Sequence, residues 1–198
     1  MVSEVDVATQ RWRGIDELAR LIGVYCWVEN RIFELSGVWA TEMSDGPWGG
    51  LEPAQRVWCA GVSRRHGLLV ARWAERLPVR AGVDRDALVA APAGPLAAGL
   101  DALAAASDPR VGLAALVETL LPCMQAVYGV HRQTASPVCE ASVLEVLTGA
   151  HRELADEIPG GRALLEGSVE VLQRDAALGH RIERVFDETD VFPAVHTS

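Results

Sequence analysis

No stretch of this chain alternates polar and apolar residues with period two. Its one Asp-Gly pair, Asp45-Gly46, runs directly into Pro47, so strands and hairpins are not expected. The N-terminus has no basic region followed by an apolar core, and it reads as lacking a signal peptide. No apolar run is expected to reach the roughly 18 residues of a membrane span. The Ala-rich segment 87–106 is interrupted by Pro92, Pro95 and Asp101. These absences predict a cytoplasmic protein with no membrane partner. Cysteine is sparse and scattered: Cys26, Cys59, Cys123 and Cys139 form no Cys-x-x-Cys pair, and in a reducing compartment they read as small hydrophobes. Positive charge is also short. Eighteen Lys and Arg face 27 Asp and Glu, for a formal net charge of −9, which disfavours nucleic acid and anionic lipid. All-helical regulators of this length carry a basic helix-turn-helix near the start, whereas residues 1–50 here are acidic and read as one long helix. There is no internal repeat and no low-complexity segment.

What remains is a chain of 198 residues, 49% hydrophobic and 23% charged, sufficient for one domain with a real core. Its periodicity is helical. A first helix is expected over 14–43, with Leu18, Ile22, Tyr25, Glu29, Ile32, Ser36 and Trp39 on one face. At 1.5 Å per residue it is about 45 Å long, a length typical of bundles. The turn at 45–50 breaks it. A second helix is expected from Pro53 to Pro78, with Trp58, Val62, His66, Leu69, Trp73 and Leu77 inward. Residues 79–108 form a connection holding two short helices, near 84–91 and 96–106. Asp108-Pro109 caps a third helix running to Thr134, kinked where Pro122 removes the bond to the Glu118 carbonyl. Ser136-Pro137 caps a fourth, ended at Ile158 by Pro159-Gly160-Gly161. A fifth follows over 162–186. The fold class is thus all-α, an antiparallel four-helix bundle with an additional C-terminal helix. It forms one domain over 1–186, with a loose tail over 187–198.

Each of the four long helices places one polar residue on its apolar stripe: Glu29, His66, His131 and His151. A buried carboxylate or imidazole needs a partner or it neutralises. These four could satisfy one another, hold a metal or line a pocket. For any one histidine, satisfaction by a core carbonyl is the simpler alternative, and for Glu29 an arginine from a neighbouring helix. Tyr128 lies one turn before His131. Glu140 lies three turns before His151 on the same face, or serves the helix terminus near Ser136. Five of the six tryptophans fall in residues 12–58 and suit core packing, an interface or an aromatic pocket.

The stretch Arg65-His66-Gly-Leu-Leu-Val-Ala-Arg-Trp73-Ala-Glu-Arg-Leu77-Pro78 resembles a helix of actinobacterial ferritin-like proteins. Leu121-Pro122 followed by Tyr128-Gly-Val-His131 is a second likeness, and together they cover about residues 14–158. The resemblance implies a ferritin-like bundle. Di-iron sites of that superfamily take a Glu from each of two helices and a Glu-x-x-His from each of the other two. This chain has no Glu-x-x-His, so a reduced metal site or a metal-free pocket on the same scaffold is implied. The reading that follows is a small enzyme acting on an organic metabolite, with secondary metabolism as one setting. Glu29 and His66 would be its acid/base pair, tuned toward neutrality, and His131 and Tyr128 would orient the substrate. Where a metal is present, Glu29, His66, His131, His151 and Glu140 are its expected ligands, for one or two iron, manganese or zinc ions. The alternatives are a ferritin-like metal-dependent oxidase or oxygenase, or a non-catalytic ligand-binding or dimerisation protein. The expected partners are a small-molecule substrate and a second copy of the chain in a homodimer.

Overall fold

A computed structural model describes residues 13–41, 50–79, 82–92, 95–106 and 108–165, with His180 and Arg184. Helices are the only regular structure among the described residues. Helix α1 spans Ile15–Thr41, with Asp16 and Glu17 in its first turn complementing the helix dipole. The expected face is buried, including Ile22, Tyr25, Glu29, Ile32, Ser36 and Trp39. Helix α2 spans Pro53–Ala74. Its start is fixed by Pro53 in the first turn and by the Gln55 side chain, which accepts the Glu52 N–H at 3.0 Å. It stops four residues before Pro78, because a proline disfavours helical backbone just ahead of it. The Ala74 carbonyl accepts the Leu77 N–H at 3.3 Å and a hydrogen bond from the Arg85 guanidinium.

The connection holds two short helices, α3 (Arg85–Leu88) and α4 (Pro95–Ala104). A side chain on Gly23 would meet the Leu88 carbonyl oxygen at 2.0 Å, so glycine is what lets α3 rest on α1. The third long segment begins as α5 (Pro109–Ala115), capped by the Asp108 side chain on the Arg110 N–H at 2.9 Å. It passes through a π-helical turn, Leu116–Leu120, and continues as α6 (Leu121–Thr134). The kink expected at Pro122 therefore takes the form of a widened turn just ahead of it. The Leu121 N–H bonds to the Leu116 carbonyl, five residues back, which makes room for a residue with no N–H of its own. The whole span Pro109–Thr134 is long and apolar enough to cross a membrane by length and composition, contrary to the expectation of no such run. Yet 67% of its most apolar window is buried against the other helices.

Helix α7 spans Ala141–Leu165 and departs from expectation at both ends. Ser136-Pro137 caps a turn rather than the helix itself. The Ser136 hydroxyl accepts the Cys139 N–H at 3.3 Å and the Glu140 carboxylate accepts the Ser136 N–H at 3.1 Å, so the helix starts at Ala141. At the other end Pro159-Gly160-Gly161 lies inside the helix instead of ending it. Such a triplet costs several kcal/mol of helix propensity, about 3 for an interior proline and about 1 per glycine. Packing outweighs that here: Ile158, Gly161 and Leu165 are buried, and a side chain on Gly161 would meet Trp58 and Val117 at 2.7 Å each. The Leu164 carbonyl also accepts the Gln55 side-chain amide at 3.2 Å. Of the fifth helix expected over 162–186, residues 162–165 continue α7 and His180 and Arg184 are helical. The remainder, and the tail over 187–198, lie outside the described residues.

Partner numbers rise along one helix as they fall along its neighbour. Ala40 meets Arg56, Phe33 meets Gly67 and Tyr25 meets Trp73 between α1 and α2. Gln55 meets Leu164, Arg65 meets Glu157 and Arg76 meets Ser142 between α2 and α7. Trp39 meets Gly112 and Glu29 meets Tyr128 between α1 and the α5–α6 segment. Val117 meets Gly161 and Gly129 meets His151 between that segment and α7. All four segments contribute buried residues to one core.

Candidate functional site

Four helices send polar side chains to one point in that core. Glu29 of α1 accepts hydrogen bonds on both carboxylate oxygens: His66 Nδ1–H of α2 donates to Oε2, and the Tyr128 hydroxyl of α6 donates to Oε1. The opposite edge of the imidazole faces α7, where His66 Nε2–H donates to Glu157 Oε2 at 3.2 Å. Arg65 then holds the other Glu157 oxygen through Nε, at 3.0 Å, and through Nη2. Glu29 is 0% exposed, His66 2% and Glu157 6%, while the Arg65 side chain is 39% exposed and carries the network to the surface.

The bonding pattern sets the charge. A neutral imidazole has one N–H and one lone pair, so it cannot donate to carboxylates on both edges; the imidazolium can. Burial works against that charge, but Glu29, followed by the hydrogen bonds to Glu157 and Glu29, pushes the His66 pKa up to about 10. Burial would likewise raise the Glu157 carboxyl, and His66 and Arg65 outweigh it and hold it below the usual carboxylate range. Burial, reinforced by the Glu29 charge, raises the Tyr128 phenol well above its ordinary value, so it stays a donor. Two carboxylates, one imidazolium and one guanidinium sum to zero, which is how a charged cluster survives in a low-dielectric core. The pairing expected between Glu29 and His66 is present, but it holds the imidazole above neutrality instead of near it.

A second network lies against the first. The Tyr25 hydroxyl donates to His131 Nδ1 at 3.0 Å, and His131 Nε2–H donates to Glu140 Oε2 at 2.9 Å. Arg13 stands 3.6 Å from that carboxylate and donates to the Thr134 hydroxyl at 3.1 Å. With its pKa lowered, the ring is neutral at pH 7, and donation of Nε2–H to Glu140 leaves Nδ1 to accept from the Tyr25 hydroxyl. Burial first, with Arg13 adding to it against the pull of Glu140, lowers its pKa. The two networks touch through rings: Tyr25 meets Tyr128 edge-on at 5.0 Å, and Trp73 packs against them at 5.0 and 5.7 Å.

Comparison with protein-family models, characterised proteins and solved structures yields no match.

Of the expected catalytic set, Glu29, His66 and Tyr128 converge, and His131 belongs to the neighbouring network. The expected metal ligands do not gather. Glu140 precedes α7, so it does not share a helical face with His151, and it serves Ser136 and His131. His151 is half-buried, its ring against Gly129, with its pKa lowered by burial and then by Arg132. Among the described residues no three His, Cys, Asp or Glu are grouped to hold an ion. The chemistry of the donors agrees: His66 offers opposite ring edges to Glu29 and Glu157, so an ion on either ring nitrogen would reach only one of the two carboxylates. This arrangement does not fit a resident iron, manganese or zinc ion. Glu157 and Arg65 were missed by sequence reasoning. The α7 stripe steps from Leu154 by three residues to Glu157 or by four to Ile158. Choosing Ile158 and stopping at Pro159 concealed the carboxylate. Cys26 and Cys59 are buried with thiols pushed up to about 12, by burial and, for Cys26, by Glu29 as well. They are inert small hydrophobes as expected, whereas Cys139 is exposed.

The buried centre borders a small opening. Arg65, His66 and Glu157 line a small cleft between α2 and α7, with Leu69, Ala150 and Leu154 as apolar walls and Glu153 beside them. Its interior has room for about one water molecule.

Proposed function

We propose that this chain is a ferritin-like antiparallel four-helix bundle whose centre is an ion-paired acid/base site, and that it acts as a small enzyme on an organic metabolite reached through the α2–α7 cleft. The observation that carries this reading is the convergence of Glu29, His66, Tyr128 and Glu157 from four helices. Ferritin-like sites place their ligands at a comparable point, with a Glu three residues before each ligating His. Here the residue three before His66 is Ser63, whose hydroxyl donates to the Phe33 carbonyl at 2.9 Å. Three before Glu157 stands Leu154, a buried core residue. The scaffold is then reused with an imidazolium clasped between carboxylates in place of metal. In the acid/base role, Glu157 accepts a proton from a substrate in the cleft. His66, backed by Glu29, donates one, and Tyr128 fixes the Glu29 carboxylate.

A second reading, a non-catalytic scaffold, is favoured by the narrowness of the cleft and by the private partners of His131. A thermal-shift panel of small organic acids, amines and alcohols separates the two. The enzyme reading expects a ligand that stabilises the wild type and is lost in the cleft-filling Ala150→Phe. Elemental analysis of freshly purified protein runs alongside and expects no stoichiometric transition metal. Failure of every compound to stabilise the wild type leaves the scaffold reading in place.

A further inference from the structure

Glu157 is held as a bound ligand would be held. Its carboxylate takes three N–H donors from one helix: Arg65 Nε–H and Nη2–H on one oxygen, His66 Nε2–H on the other. The two cations line the cleft together with the buried apolar residues Leu69, Ala150 and Leu154. The grip is uneven. His66 also donates to Glu29 from its far edge, and its bond to Glu157 is 3.2 Å, at the long end of the hydrogen-bonding range. Arg65 is the half-exposed member of the set, so an anion arriving through the cleft reaches it first.

We infer that the Arg65–His66 pair on α2 is a carboxylate-binding site, filled in this state by the chain's own Glu157, and that the ligand it takes is a small monocarboxylate with a short apolar group. A carboxylate matches the fork of Arg65 and the N–H of His66 in geometry and in charge. A second anion beside a retained Glu157 is excluded by repulsion, so the ligand enters as Glu157 leaves. Glu157 thus competes with the ligand for the two donors. Its tether makes it an effective competitor, and the apolar walls are what a ligand has and the tethered side chain does not. This deepens the acid/base reading by giving its site a ligand class, and it is tested without turnover.

The test removes the internal competitor. Glu157→Ala in the full chain vacates the two cations, and acetate at about 1–100 mM should raise its melting temperature in a concentration-dependent manner, as any ligand selective for the folded state does. Isobutyrate should act at several-fold lower concentration than acetate. Acetamide and methylammonium should do nothing, and the wild type should respond far less to acetate. Adding Arg65→Gln to the variant should abolish the response. Should Glu157→Ala not fold, Glu157→Ser, which vacates nearly the same volume and keeps a polar atom, is titrated in its place. A folded variant indifferent to acetate, or one that answers acetamide equally, overturns the assignment. That outcome leaves the acid/base reading standing if cleft-dependent binding of another compound is found, so the two fail separately.

Discussion

The charged state of His66 makes folding stability fall with pH in a range where most proteins are level. Its folded pKa, about 10, lies above the unfolded value near 6.5. For a base raised in this way, the stabilisation is fully present below about pH 6.5 and is lost as pH rises through the folded value. Across the whole window the loss amounts to about 5 kcal/mol, since each pH unit between the two values is worth about 1.4 kcal/mol. The background is clean in the lower half of that window. The sequence has no lysine, and the buried thiols of Cys26 and Cys59 add their own loss only above about pH 8.5, where unfolded cysteine ionises. Urea unfolding at closely spaced pH values between 7.0 and 8.5 should therefore give a slope of about −1.4 kcal/mol per pH unit. His66→Gln should be flat over the same range, although less stable throughout. A level wild-type profile, or an equal slope in His66→Gln, would refute the charge assignment and with it the zero-sum cluster.

Four further outcomes follow from the same geometry. His66→Leu strands two buried carboxylates and should cost about 3–5 kcal/mol, whereas the triple replacement Glu29→Leu, His66→Leu, Glu157→Leu should recover most of it, because a buried ion network repays little more than its desolvation; urea midpoints check both. His131 behaves oppositely to His66: lowered when folded, it favours the folded state above about pH 6.5 and costs stability as pH falls through its folded value, so His131→Asn should flatten the acid limb. Tyr25→Phe deletes the donor to His131 Nδ1 and should cost about 1 kcal/mol while moving the His131 titration upward by NMR. Gly161→Ala should cost about 1–3 kcal/mol against Trp58 and Val117, yet Gly160→Ala, whose nearest neighbour is the Trp58 ring nitrogen at 3.5 Å, should be neutral or stabilising by up to about 1 kcal/mol.

The helices were legible because each carries a 3.6-residue apolar stripe and most begin at a proline or a short acidic cap. Pro53 and Asp108-Pro109 mark their helices to the residue. Pro159-Gly160-Gly161 misled because propensity is local, whereas the contacts of Gly161 with Trp58 and Val117 come from elsewhere in the chain. Within the site, Glu29 and His66 stood out as polar residues on greasy faces, and Tyr128 by its place one turn from His131. That they meet is a property of how α1, α2 and α6 are registered, which no single stripe encodes. Glu157 was hidden by an assumed helix end, and Tyr25 passed as an apolar residue although its hydroxyl bonds to His131 Nδ1. His151 shows the converse error, since a stripe position half-turned to solvent looks the same in sequence as one aimed at the centre.

The most direct test is nitrogen-detected NMR of the histidine side chains in the wild-type protein at pH 7.5. His66 should have protons on both ring nitrogens, with no titration up to pH 8.5, and His131 should be a neutral ring carrying its proton on Nε2. A His66 ring that is neutral at that pH, or that titrates near 6.5, would contradict the doubly clasped imidazolium on which the site is built.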